Sequence, residues 1–263
     1  MKKFYNLIAF SIIGFCTTAH AEDYLGVFGG YSFGQNISNI KGNENLNYPS
    51  APDGSSPITS LIPDAKYSSL KLGSSGNIGI KYGHYFDQLP AFGLESEFSY
   101  SKPNFKRQNV TITSNGLRSF TGAALSTTTG PAQITEDQQP ANADLYVLDF
   151  NGLYRYQGWK SFTPYIGAGP AVYFWQIKGT GLSGIIPEFG ATGVDGPEVN
   201  QHPITWGADF KLGGEYNLPQ NYGLGLEYRY NWSAFKVDSF RSVSDGSGDY
   251  QGQALDVTLT KHF

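Results

Sequence analysis

Glu95 and Glu97, then Asp149, Asn151 and Arg155, then Asp209, Lys211 and Glu215, and then Glu227 and Arg229 recur at spacings of two or four residues. In an extended chain that spacing puts each set on one face. Lys81 and Asp256 fall in the same phase of two further alternating segments. Carboxylates mixed with ammonium and guanidinium groups on a shared face form ion pairs, and such pairs in an enclosed space either plug it or gate it. Acid and base catalysis is the rival chemistry, since Glu95 and Glu97 point the same way, but they are better matched as partners of Lys81. The histidines beyond the first twenty residues, His84, His202 and His262, have no serine two residues away and no other neighbouring signature of a barrel esterase. No catalytic residue is assigned, and the chain is expected not to be an enzyme.

Other patterns carry little. Gly167-Ala168-Gly169 has no helix after it and is no phosphate cradle, and Asp245 to Asp249 lacks the further acids a calcium loop needs. No metal and no cofactor is expected. Asn36-Ile37-Ser38 and Asn109-Val110-Thr111 match glycosylation acceptors, a chance match in a bacterial envelope protein.

Eight alternating segments have to position the charged face: Tyr24 to Phe33, Asn77 to Phe86, Phe92 to Tyr100, Leu145 to Tyr156, Thr163 to Trp175, Ile204 to Leu218, Tyr222 to Trp232 and Ala254 to Phe263. The connections Asp87 to Ala91, Gln157 to Phe162 and Pro219 to Asn221 are short, and the other four are long and rich in Gly, Ser, Asn, Pro and Thr. Short turns on one side and long loops on the other are the plan of an outer-membrane barrel. The faces opposite the charges carry Leu25, Val27 and Tyr31; Ile78 and Ile80; Phe92, Leu94 and Phe98; Leu148 and Phe150; Ile166 and Val172; Trp206, Phe210 and Leu212; Leu224, Leu226 and Trp232; and Leu255, Val257 and Leu259. Only His84 and Lys261 interrupt those faces with an ionisable group, each near a turn-side end, where a charge costs little. A soluble barrel with its apolar face inward is the competing reading; the large aromatics on one face and the small and charged residues on the other favour the membrane.

The first residues read as an export signal. Lys2 and Lys3 precede an apolar run from Leu7 to Phe15 and then Ala19-His20-Ala21, so residues 1–21 are expected to be cleaved, leaving one barrel domain over 22–263. The run is too short for a spanning helix, and Phe15 before Cys16 argues against a lipoprotein. Without Lys2 and Lys3 the chain has 16 basic against 22 acidic residues, a formal charge of about −6, which does not suit a nucleic-acid binder.

Thr163-Pro164-Tyr165-Ile166-Gly167-Ala168-Gly169, Leu212-Gly213-Gly214-Glu215-Tyr216, Gly225-Leu226-Glu227-Tyr228-Arg229-Tyr230 and the terminal Phe263 resemble the small outer-membrane β-barrel proteins, the group of the opacity-type surface antigens and the membrane domain of outer membrane protein A. The resemblance implies an all-β, eight-stranded antiparallel up-and-down transmembrane barrel in the bacterial outer membrane. It also implies contact with outer-membrane lipid and lipopolysaccharide, and insertion by the barrel-assembly machinery with Phe263 as the assembly signal. It implies no single activity. The loops here are long, and no peptidoglycan-binding domain is expected after the barrel, so a tethering role is not expected.

Turn geometry places Lys81 opposite Glu97 and Lys211 close to Glu227 or Arg229, with Asp256 in reach of Arg229, so one mid-barrel network is expected. The connections Gly34 to Leu72 and Ser101 to Ala143 exceed what closure needs. Val110 to Thr113 and Leu117 to Phe120 flank Asn115-Gly116 and are expected to form a hairpin; with Ile58, Leu61, Ile62, Ile185 and Ile186 it would cap the barrel. The expected function is surface interaction through these loops, with host-surface molecules or phage as partners, together with adhesion, antigenicity and envelope integrity. The alternative is a narrow gated porin-like channel.

Overall fold

The computed structural model describes residues 22–48, 58–114, 118–121, 124–126, 132–138, 140–179, 199–240 and 243–263. The leader read over 1–21 lies outside them, as do Ile185 and Ile186. Eight long strands make the wall: β1 (Glu22–Tyr48), β2 (Ser75–Phe86), β3 (Leu89–Ser101), β4 (Ala141–Arg155), β5 (Phe162–Gly179), β6 (Ile204–Leu218), β7 (Tyr222–Phe240) and β8 (Val243–His262). Each pairs antiparallel with its neighbour in sequence, and β8 returns to β1 through a ladder from Tyr24↔His262 to Ser32↔Ala254, so the sheet is a closed up-and-down barrel. At one end the connections are tight. Between β6 and β7 they require left-handed backbone at Gln220 (φ 62°) and Asn221 (φ 58°); an asparagine tolerates that region better than most residues.

At the other end the strands run on. The polar seventh connection expected between Trp232 and Ala254 is largely strand, since β7 and β8 stay paired from Ser233↔Tyr250 to Phe240↔Val243. Gly246 and Gly248 read as loop residues, yet the inward Phe235 and Tyr250 hold this hairpin in the barrel's phase. Asn115-Gly116, on which a hairpin is expected, lies outside the described residues, and the described strands on either side of it are not paired with each other. Gln108–Ser114 pairs instead with Ala132–Gln138, Val110 opposite Glu136 and Ile112 opposite Ile134. Arg118–Thr121 pairs with Ile58–Leu61 and with Ala124–Ser126. A seven-residue ladder outweighs the four-residue one that the Asn-Gly cue offered. These segments extend the outer end of β1, which pairs with Ile58–Tyr67 from Lys41↔Lys66 to Tyr48↔Ile58.

The two faces exchange character along the barrel. Around the turn-side half the outward residues are apolar, as in Leu25, Ile80, Leu94, Phe150, Ile166, Leu212, Leu226 and Val257, all exposed, and the inward ones are charged. Further out, the outward positions become Asp144, Asn142, Lys178, Lys236 and Asp249, while the inward ones become Ile37, Ala143, Leu145, Val147, Tyr173, Trp175, Ile177, Phe235 and Tyr250. The apolar band is therefore a belt, and above it stands a barrel of soluble pattern with a packed interior. In β1 a bulge between Phe33 and Asn36, with Gly34 at φ 61°, shifts the phase so that Gln35 and Ile37 face in. The β4–β5 ladder has no pair between Asp149↔Ala171 and Gly152↔Ala168, where Pro170 has no N–H to donate.

Face assignment decides the cost of substitution. Phe235→Ala empties part of the outer core and is expected to cost about 3–5 kcal/mol. Val257→Arg on the belt should cost about 2–4 kcal/mol, and Lys236→Ala less than about 0.5 kcal/mol. Urea unfolding of refolded protein in lipid measures all three; comparable losses for Lys236→Ala and Phe235→Ala would show the outer faces to be assigned backwards.

Candidate functional site

The inward charges of the belt region meet in one layer. Lys81, Glu95, Glu97, Asp149, Asp209, Lys211, Glu227, Arg229 and Asp256 are each no more than 4 % exposed. The backbone registers are Lys81↔Glu97 and Lys211↔Arg229. The side-chain heads, however, reach across the lumen rather than along those rungs. Lys211 Nζ donates to Glu95 Oε1 at 2.8 Å and Glu97 Oε2 at 2.6 Å. Lys81 Nζ donates to Glu227 Oε2 at 3.1 Å and lies 3.6 Å from Glu95. Arg229 pairs with Glu97, donates to Glu227 Oε1 at 2.9 Å, and approaches Asp209 and Asp256 at 3.8 Å each. The reason is geometric: an eight-stranded barrel is so narrow that opposite walls lie within side-chain reach. The rung partner of Lys211 is itself a cation, and the two carboxylates hydrogen-bonded to its ammonium come from β3, with Asp149, Asp209 and Glu227 at 3.8–4.0 Å.

Neutral side chains complete the layer. The Tyr24 hydroxyl donates to Glu95 at 2.6 Å, the Tyr165 hydroxyl to Glu227 at 2.8 Å, Asn77 to Asp256 at 2.7 Å and Asn151 to Asp149 at 2.6 Å. The ring of Phe28 lies 4.8 Å from the Arg229 guanidinium. Tyr24 and Tyr165 were legible only as inward-phase aromatics, since nothing in their spacing singles them out as donors. Six carboxylates share this layer with three cations. The outlying acids carry the shortfall: Asp149 Oδ2, Asp209 Oδ1 and Asp256 Oδ2 have no hydrogen-bond donor.

Arg155 and Glu215 lie apart from that layer, at the turn-side mouth. Arg155 stacks 3.6 Å over the Tyr85 ring, donates to Glu22 at 2.5 Å and to the Pro90 carbonyl at 2.8 Å. Glu215 accepts from Thr260 at 2.5 Å and lies 2.8 Å from His262 Nε2, whose Nδ1 is 2.8 Å from Glu22. Glu22 escaped the sequence reading because it precedes the first alternating segment. His84 lies on the outer surface beside Asp23 at 2.9 Å, and Lys261 donates to the Gln220 carbonyl at 2.5 Å. Both sit at turn-side strand ends, where the interface accepts charge.

The mouth opens into a cavity of about 340 Å³ that reaches inward as far as Lys81 and Tyr165. Beyond the ionic layer a cavity of about 20 Å³ lies between Asn77, Ser99, Arg229, Asn231 and Tyr250, room for about one water. Past that, Tyr173, Trp175, Phe235, Tyr250 and Phe105 close the bore, with Trp175 edge-on to Phe235 and Tyr250 at 5.6 and 4.9 Å. This packing does the capping expected of the loops, using strand residues together with Leu70, Leu72 and Val110. Nothing is described of the side chains of Ile58, Leu61 and Ile62.

A closed eight-stranded barrel with an apolar belt and an ion-paired interior defines a small outer-membrane barrel. The family model for outer membrane protein β-barrel domains matches residues 7–263, and the chain belongs to that family. No curated protein matches the sequence. Among solved structures, Neisserial surface protein A is 13 % identical with a TM-score of 0.45, over 93 % of this chain and all (100 %) of that one. OprG from Pseudomonas aeruginosa is 13 % identical, TM-score 0.42, over 93 % of this chain and 99 % of that one. Ail, the attachment invasion locus protein of Yersinia pestis, solved with a heparin analogue, is 12 % identical, TM-score 0.38, over 92 % and 99 %.

The imbalance within the ionic layer makes substitutions there asymmetric. Lys211→Met removes one of three cations and leaves Glu95 and Glu97 short of a partner, an expected loss of about 3–5 kcal/mol. Asp149→Asn removes an acid with an unpartnered oxygen and is expected to be neutral or stabilising. Unfolding midpoints in lipid vesicles compare the two, and a larger loss for Asp149→Asn would mean that the acids, not the cations, are limiting.

Proposed function

We propose that this outer-membrane barrel is exported by cleavage of its leader and works at the cell surface through its outer β-structure and loops, in adhesion, as a surface antigen and in envelope integrity, without conducting solutes. The observation that carries this reading is the double closure of the lumen, an ion-paired layer followed by an aromatic core, beneath strands that continue outward. At about 3.3 Å per residue and a tilt of about 40°, the paired stretch from Ser233↔Tyr250 to Phe240↔Val243 raises the β7–β8 hairpin by roughly 20 Å. A paired hairpin of that height stands clear of the lipid. Host-surface molecules and phage are the partners this surface suits.

The proposal contains no catalytic step: the imidazole of His262 is held between two carboxylates, Glu22 and Glu215, beside the Thr260 hydroxyl, and among the described residues no serine or cysteine contact to it is seen. A second reading, a narrow gated channel, is favoured by one observation: the cavity at the mouth already reaches Lys81.

Two measurements separate the readings. Purified protein in planar bilayers is expected to show near-zero conductance, and Arg229→Ala should leave it there. Replacing residues 49–64 and 114–139 by short linkers, which spares the buried Ala65, Val110 and Ile112, should abolish binding of cells bearing the protein to host cells or phage while the barrel still folds. Unchanged binding with lowered solute uptake would reverse the assignment in favour of the channel.

A further inference from the structure

One wall of the outer barrel carries lysines set against lysines. In the β1 ladder Lys41 lies directly opposite Lys66, both exposed. Lower down, the antiparallel bridge Leu72↔Phe105 sets Lys71 beside Lys106, with Leu72 and Phe105 turned in and both lysines exposed. Gln108 fixes this arrangement. Its Oε1 accepts from the Lys71 N–H at 2.9 Å, and its Nε2 donates to the carbonyls of Lys71 at 2.9 Å and Lys106 at 3.3 Å. Lys102, 61 % exposed, completes the wall and has Asp144 at 3.6 Å. Among the described residues no carboxylate pairs with Lys41, Lys66, Lys71 or Lys106. Like charges directly opposite one another in a sheet are unfavourable, and they are concentrated here in a chain whose net charge is −4.

Height above the belt identifies what would neutralise them. Tyr100 packs on Tyr146 at 4.9 Å at the belt's outer rim. Lys102 follows two residues later, roughly 5 Å higher, and Lys106 lies no more than about 15 Å above the rim. That is the level of the lipid headgroups and the sugars attached to them.

We propose that Lys71, Lys102 and Lys106 form a docking surface for the phosphate groups of outer-leaflet lipopolysaccharide, which Lys41 and Lys66 extend upward. Ammonium groups on flexible stems bind phosphate as point charges, and headgroup recognition by basic clusters of this kind weakens with salt. This surface is independent of whether the loops engage a partner.

The test uses the mature protein in detergent micelles, titrated with lipopolysaccharide and with the same glycolipid stripped of phosphate, and followed by native mass spectrometry. Lys71→Gln, Lys102→Gln and Lys106→Gln together should weaken binding at least tenfold, whereas Lys178→Gln with Lys236→Gln on another wall should not. Folding is checked by heat-modified gel mobility, and single substitutions serve if the triple variant fails to fold. Equal affinity of the triple or single variants, or of the dephosphorylated glycolipid, overturns the proposal. So does binding of soluble heparin at these lysines with no binding of the glycolipid, which would assign the wall to a polyanion in solution.

Discussion

The pairing of β1 with β8 is the interaction on which the rest of the molecule depends. Hydrocarbon offers no water to an unpaired N–H or carbonyl, so a sheet crosses it only when it has no edges. The ladder from Tyr24↔His262 through Ser32↔Ala254 removes the last two edges. Once the ring is closed, every side chain faces either the inside or the outside, and the two-residue period of the strand decides which. The backbone Phe263 N–H donating to the Asp23 carbonyl at 2.8 Å shows how completely the seam is used at its turn-side end.

Closure with eight strands also sets the bore, and the bore sets the chemistry within it. A wider ring would leave Lys211 surrounded by water. In this one its ammonium is bonded to Glu95 and Glu97 from the facing wall. Polar residues on the inside of the belt avoid burial costs only by bonding one another, hence the recruitment of Tyr24, Tyr165, Asn77 and Asn151 as neutral partners. Glycines make the space. A side chain at Gly26 would meet Lys81 Cγ and Thr260 Cγ2, both at 3.0 Å, and one at Gly167 would meet Lys211 Cγ at 2.8 Å. Lys81 and Lys211 thus each lie along the wall beside a neighbouring-strand position that has no Cβ.

The belt and the charged face were legible from the sequence because alternation is a local property. Leu255, Val257 and Leu259 against Asp256 and Thr258 need no knowledge of the fold. Registers around the tight turns were legible for the same reason, as Lys81↔Glu97 shows. What lies across the bore was not. The contact of Lys211 with β3 spans more than a hundred residues and depends on barrel diameter, which no window of sequence contains. The outer structure was misread where composition and pattern disagree: Gly246, Ser247 and Gly248 read as loop residues, although Phe235, Val237 and Tyr250 around them keep the period of a strand.

The outer hairpin obeys a constraint of its own. A strand leaving the bilayer exchanges an apolar surround for water, so the rule for its outward residues reverses, and the rule for its inward residues reverses with it once the lumen no longer holds ions. β5 carries the whole transition: Ile166 and Val172 face outward where the inward positions between them are the small Gly167, Gly169 and Ala171, and then Gln176 and Lys178 face outward while Trp175 and Ile177 pack inward. The soluble-barrel pattern, with its apolar face inward, therefore describes the upper part of the same strands whose lower part follows the membrane pattern. Two environments stacked along one wall explain why the mean hydropathy of −0.31 falls below zero, and height decides what an aromatic does: Trp175 and Phe235 are buried in the outer core, whereas Phe150 and Phe210 are exposed on the belt.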